Sequence, residues 1–132
     1  MKKILVLSSA ESEYTVDANQ TFVHEIEARL PDVVVETCHY RDVALYITKE
    51  RIDATRLSTN APLKWYDLIY FKSFYRYSEM ASAIASYLQQ EKIQYICHEI
   101  DEAISFSKLT QYARLSLEKL PIIPTVFVEK MM

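Results

Sequence analysis

Ile4-Leu5-Val6-Leu7-Ser8 and, one amphipathic stretch later, Asp32-Val33-Val34-Val35-Glu36-Thr37-Cys38-His39-Tyr40 decide the fold class of this chain. The first is a short, unbroken apolar run, the pattern of a strand covered on both faces. The second is rich in β-branched residues, which suit a packed, pleated surface. Between them Thr15 or Asp17 is placed to cap a helix reaching about Leu30, with Phe22, Val23, Ile26 and Leu30 on one stripe, and Pro31-Asp32 ends it. Strand, helix and strand in direct succession imply parallel pairing with a right-handed crossover.

Outward from this unit the pattern changes and then resumes. Ala44 to Thr48 and Arg51 to Thr55 are short alternating runs around Lys49-Glu50, which predicts an inserted β-hairpin. Ser58 to Pro62 reads as a loop in which Asn60 is suited to a left-handed conformation. Tyr66 to Lys72 (YDLIYFK) resumes a buried strand, and Ser78 to Glu91 is a helix with Met80, Ala83, Ile84, Tyr87 and Leu88 on one face. Ile93 to Cys97 is a further short strand, and Ser107 to about Lys119 a final helix. Val126-Phe127-Val128 opens one more strand after Pro121 and Pro124. The order predicts an α/β fold: a Rossmann-like, open, mostly parallel sheet flanked by helices, decorated by the hairpin. With 132 residues the chain fits a single domain.

Composition narrows the function classes. A net charge of −3 carries no electrostatic footprint for nucleic acid or an acidic membrane. Lys2-Lys3 before the first apolar run imitates a secretory leader, but Ser8, Ser9, Glu11, Ser12 and Glu13 follow at once, so a strand is expected there. No apolar run approaches the roughly 18 residues of a membrane span. Cys38 and Cys97 form no CxxC pair, so a reduced, cytoplasmic protein is expected. The chain has no glycine, where average usage of about 7% predicts roughly nine. Phosphate loops of the Walker and dinucleotide types need glycine for close backbone approach, so neither exists in this chain.

The third strand and last helix carry a family resemblance. The Tyr66-Asp67 strand, an amphipathic helix, a short strand, Ser107-Lys108-Leu109 opening a helix, and Leu120-Pro121-Ile122-Ile123-Pro124-Thr125 follow one another in order. This resembles the N-terminal, pre-ATP-grasp region of ATP-grasp ligases, nearest the peptide-modifying branch of microviridin-type graspetide ligases and ribosomal-protein glutamate ligases. Three departures stand out: Ser107 replaces an acidic residue, Lys119-Leu120 stands where Gly-Ile or Gly-Leu is common, and two residues rather than one separate Pro121 from Pro124.

The resemblance implies a structural and substrate-side domain of a carboxylate–amine or carboxylate–alcohol ligase, inactive alone and without catalytic residues of its own. In that chemistry ATP phosphorylates a carboxylate, Mg²⁺ screens the phosphates, and an amine or hydroxyl attacks the acyl phosphate. ATP and Mg²⁺ would be held by central and C-terminal domains beyond Met132, residues 121–132 being the start of a linker or strand into them; the chain is then expected to be a piece of a longer enzyme, with a natural stand-alone relic as the alternative. The resemblance assigns Lys108 to the ATP phosphates of the full enzyme.

In an open α/β sheet ligands sit outside the carboxyl ends of the strands. Ser8, Ser9, Tyr40, Arg41, Tyr75 and Arg76 are the expected lining of that crevice, for a peptide or amino-acid substrate. Cys38-His39 and Cys97-His98 suggest zinc or redox chemistry, but neighbours on a strand point to opposite faces, so buried cysteines without a metal are favoured. Glu99, Asp101 and Glu102 form a small acidic cluster read as solvated loop. The second functional reading is a stand-alone, Rossmann-like protein-binding or dimerisation module; an uncovered face predicts a homodimer.

Overall fold

The computed structural model describes residues 1–96 and 108–129. The elements are β1 (Lys2–Ser8), α1 (Glu13–Arg29), β2 (Val33–His39), a 3₁₀ turn (Tyr40–Asp42), β3 (Val43–Ile47), β4 (Ile52–Arg56), a 3₁₀ turn (Leu63–Trp65), β5 (Leu68–Phe71), a 3₁₀ turn (Tyr75–Tyr77), α2 (Ser78–Glu91), β6 (Gln94–Ile96), α3 (Lys108–Leu117) and β7 (Thr125–Val128). Four parallel strands run in the order β2-β1-β5-β6. The expected α/β architecture is present, hairpin included: β3 and β4 pair antiparallel from Val43↔Arg56 to Ile47↔Ile52.

The last strand differs from the expected course. β7 pairs antiparallel with β3, Ile47↔Thr125 to Ala44↔Val128, so it completes a second sheet of order β4-β3-β7 instead of extending the parallel one. Alternation along a strand is the same whichever sheet it joins, so local pattern does not select the partner.

Period-two alternation divides β1 between two cores. Leu5 and Leu7 enter the large cluster with Ile69, Phe71 and α2, while Val6 packs on the other face with Val23 of α1 and Val35 of β2. Helix α2 has more buried surface than its stripe predicts: every residue from Met80 to Leu88 is buried. The same cluster holds Val43, Leu45, Ile47, Ile52 and Ala54 of the hairpin and Leu109 and Ala113 of α3. The helix is therefore sandwiched between the parallel sheet and the second layer. Ala81, Ser82, Ala85 and Ser86 keep its far side narrow enough for that layer to approach.

Helix α1 begins earlier than expected. Ser12 is its N-cap: the Ser12 hydroxyl accepts from Thr15 N at 3.2 Å and the Ser12 N–H donates to Thr15 Oγ1 at 3.1 Å. This is a capping box closed by threonine in place of the usual Glu or Gln. At the other end Leu30 is the C-cap and is exposed, so the predicted stripe stops at Ile26.

Candidate functional site at the carboxyl edge of the parallel sheet

β1 feeds β2 on one side through α1, while β5 flanks β1 on the other side. The carboxyl ends of β1 and β5 therefore border a topological switch point. Ser8, His39 and Phe71 end their strands at this edge, and Lys72 N continues the ladder to Leu7 O at 2.8 Å.

A carboxylate cradle lies on the β1–β2 side. His39 Nδ1 accepts from Arg41 N at 3.0 Å, which turns the chain into the 3₁₀ segment and brings the Arg41 side chain back over the strand end. With Nδ1 an acceptor, the ring proton sits on Nε2, 3.2 Å from Glu11 Oε1. The same oxygen accepts from Arg41 Nη2 at 3.0 Å and from the Tyr77 hydroxyl at 2.8 Å. Tyr77 is held by an edge contact to His39 and a stack on Tyr40. The Tyr77 hydroxyl first, then Arg41 and His39, hold the Glu11 carboxyl below its usual range, with burial opposing them. Burial, then Arg41, lowers His39, with Glu11 opposing. A cleft of about 370 Å³ opens over Ala10, Glu11, His39, Arg41 and Asp42.

A second niche lies at the switch point itself. It has a volume of about 120 Å³ and is lined by Ser8, Ser9, Ala10, Thr15, Ala18, Asn19, Lys72 and Ser73. Asn19, buried on α1, donates from Nδ2 to Ser8 Oγ at 2.7 Å and accepts from Lys72 Nζ at 2.5 Å. Lys72 Nζ also stands 4.9 Å from the Phe22 ring centroid. Ser73 follows in the left-handed region at φ 53°, a conformation that costs a non-glycine residue energy and that clusters at ligand sites.

Arg56 organises a third polar group whose role is structural. Only 8% exposed, it donates to Glu36 Oε1 (3.0 Å), the Tyr66 hydroxyl (3.1 Å) and Asp42 Oδ2 (3.3 Å). It ties β4 to β2 and to the turn after β2. The Tyr66-Asp67 pair works beside it and at the opposite, amino edge of the sheet: the Tyr66 hydroxyl donates to Glu36 at 2.9 Å, and Asp67 Oδ2 accepts from Lys3 N at 2.8 Å.

The residues expected in the crevice separate accordingly. Ser8 and Ser9 line the switch-point niche, and Arg41 grips Glu11. Tyr40 lies beneath the crevice rather than in it: it is fully buried, and its hydroxyl donates to Lys72 O at 3.0 Å. Tyr75, 84% exposed, stacks on Phe74, and Arg76 is exposed with no ion pair among the described residues. Lys108 is the first residue of α3, and its side chain lies outside what the structure describes, as do Cys97, His98, Glu99, Asp101 and Glu102. Cys38 is buried with its thiol pushed up to about 12 by burial, which makes it a poor nucleophile. Among the described residues no three His, Cys, Asp or Glu side chains converge as metal ligands. No described helix is long and apolar enough to cross a membrane.

Glu11, Asn19, Lys72 and Tyr77 are site residues that local reading missed. Glu11 and Tyr77 flank helix starts and belong to no periodic pattern, and Asn19 is a polar residue on an otherwise ordinary amphipathic helix. Comparison with protein-family models, with characterised proteins and with solved structures finds no match for this chain.

Proposed function

We propose that this chain is the substrate-side domain of an ATP-grasp-type ligase of the cytoplasm that joins a carboxylate to an amine or alcohol. The observation that carries the reading is the cradle at the carboxyl edge, where Arg41, His39 and Tyr77, from two separate segments, converge on one carboxylate oxygen of Glu11. Glu11 there is the stand-in for a substrate carboxylate: a guanidinium, an imidazole N–H and a phenol are donors suited to a planar oxyanion. The Glu11 side chain is 44% exposed, so an incoming carboxylate of a peptide or amino acid can displace it without opening the core.

A second support comes from the end of α3. Lys119, at the position where the ligases carry glycine, adopts the left-handed conformation that glycine favours, at φ 60°. ATP and Mg²⁺ are assigned to the central and C-terminal ligase domains, with Lys108 directed to the phosphates. The deciding experiment is ATP turnover by the native gene product with a glutamate-containing peptide, read as ADP release. Peptide-dependent ADP formation that falls at least tenfold in Arg41→Ala is expected, and peptide-independent or absent turnover overturns the ligase reading. The 132-residue chain alone is expected to show no micromolar affinity for Mg-ATP by calorimetry.

The second reading, a binding module that dimerises, is favoured by one surface. β7 is the end strand of its sheet, and Val126, Val128 and Tyr46 beside it are exposed. Concentration-dependent sedimentation of the chain as a dimer, abolished by Val126→Lys, is the result this reading requires.

A further inference from the structure

We propose that the niche between the ends of β1 and β5 is a phosphoryl-binding subsite, in which side chains take the place of a glycine-rich loop. Lys72 supplies the charge. It has no carboxylate partner among the described residues, and its contacts are the neutral Asn19 amide oxygen and the Phe22 ring. A half-buried ammonium without a counter-ion favours an anion in the adjoining space.

Hydroxyls supply the remaining donors. Ser8 Oγ accepts from Asn19 Nδ2 and weakly from Ala10 N at 3.4 Å, so its own proton is free to donate. The Ser9 and Ser73 hydroxyls line the space with no hydrogen bond to the protein among the described residues. Thr15 lines it too, but its hydroxyl is engaged by the Ser12 capping box. The left-handed backbone of Ser73 places a serine where glycine is the less costly residue, two residues past the end of β5.

Shape and charge select the ligand class. A volume of about 120 Å³ has room for one phosphoryl group. A planar carboxylate is matched by a guanidinium fork, whereas a point-charge ammonium with hydroxyls dispersed around it matches a tetrahedral oxyanion. The N-terminal turn of α1 borders the same space through Thr15, and its dipole has the sign that favours an anion. This subsite is separate from the Glu11 cradle and does not depend on the ligase reading.

The test is titration of the 132-residue chain with inorganic phosphate, followed in amide and side-chain NMR spectra, with acetate as the planar control at matched ionic strength. Saturable shifts at Ser8, Ser9, Asn19 and Ser73 at millimolar phosphate, with acetate at least fivefold weaker, are expected. Lys72→Gln is expected to weaken phosphate at least tenfold. Ser73→Ala removes one donor without touching the buried Asn19 network, so it keeps the test open if Lys72→Gln fails to fold, and a weakening of about threefold is expected. Equal affinity for acetate, shifts confined to the Arg41 cradle, or unchanged phosphate affinity in the Ser73 variant would each overturn the assignment.

Discussion

His39 shows how much one side chain does at this edge. Its Nδ1 starts the turn that carries Arg41, its Nε2–H reaches Glu11, and its ring supports Tyr77. Both titratable partners are shifted in a way that makes the cluster acid-sensitive. His39 is lowered from its ordinary value of 6.5 by burial and by Arg41, so as pH falls below 6.5 the unfolded chain takes up the proton first. Glu11 is also lowered, chiefly by the Tyr77 hydroxyl, so its contribution is present above its ordinary value of 4.5 and is lost as pH falls through the folded value. In both cases the unfolded state binds more protons, and stability falls with acidification. Urea midpoints are expected to drop between pH 7 and pH 5. His39→Asn, which keeps an acceptor for Arg41 N, should flatten that interval and leave the loss below about pH 4.5 that Glu11 causes. An unchanged slope in the variant would remove His39 from this account.

Elements in this chain end and join by devices that compensate for the missing glycines. Both α2 and α3 finish in the same motif: Ile93 N donates to Leu88 O at 2.9 Å, and Leu120 N to Leu115 O at 2.9 Å. Lys92 (φ 57°) and Lys119 (φ 60°) occupy the left-handed positions. Asn60 does the same in the loop after β4, as its residue type led us to expect, at φ 61°. Lys92→Gly is expected to raise stability by about 0.5–1 kcal/mol, because the Cβ penalty at that position exceeds the entropy glycine adds to the unfolded chain. Thermal melts of the two proteins check it.

The joint between α2 and the hairpin rests on another side chain. Gln90 Oε1 accepts from Ile52 N at 2.8 Å and Gln90 Nε2 donates to Ile52 O at 2.7 Å, so the amide completes the open backbone edge of β4. Gln90→Ala leaves a partly buried N–H and carbonyl unpaired, and a loss of about 1–3 kcal/mol is expected from denaturant unfolding.

At the scale of the whole molecule, the parallel sheet and the hairpin layer are joined by Arg56 and by the sandwiched helix α2. Arg56→Ala leaves Glu36 and Asp42 without their shared cation and is expected to cost about 3 kcal/mol; Arg56→Lys, with one donor head in place of a fork, should recover only part of it. Equilibrium unfolding of both variants measures the difference. Much of this architecture was legible in the chain because strand and helix periodicities are local: the βαβ start, the hairpin, and the Ser78 to Glu91 helix all follow from spacing alone. The absence of glycine likewise excludes a glycine-rich phosphate loop from the sequence alone. Tertiary structure alone decided which sheet β7 joins, why α2 is buried on all sides, and that Glu11, Tyr77, Asn19 and Lys72 meet at the carboxyl edge. Those outcomes depend on contacts between residues far apart in the chain. No local pattern encodes them: a strand reads the same in either sheet, and a polar side chain gains its role only when packing brings its partners within hydrogen-bonding reach.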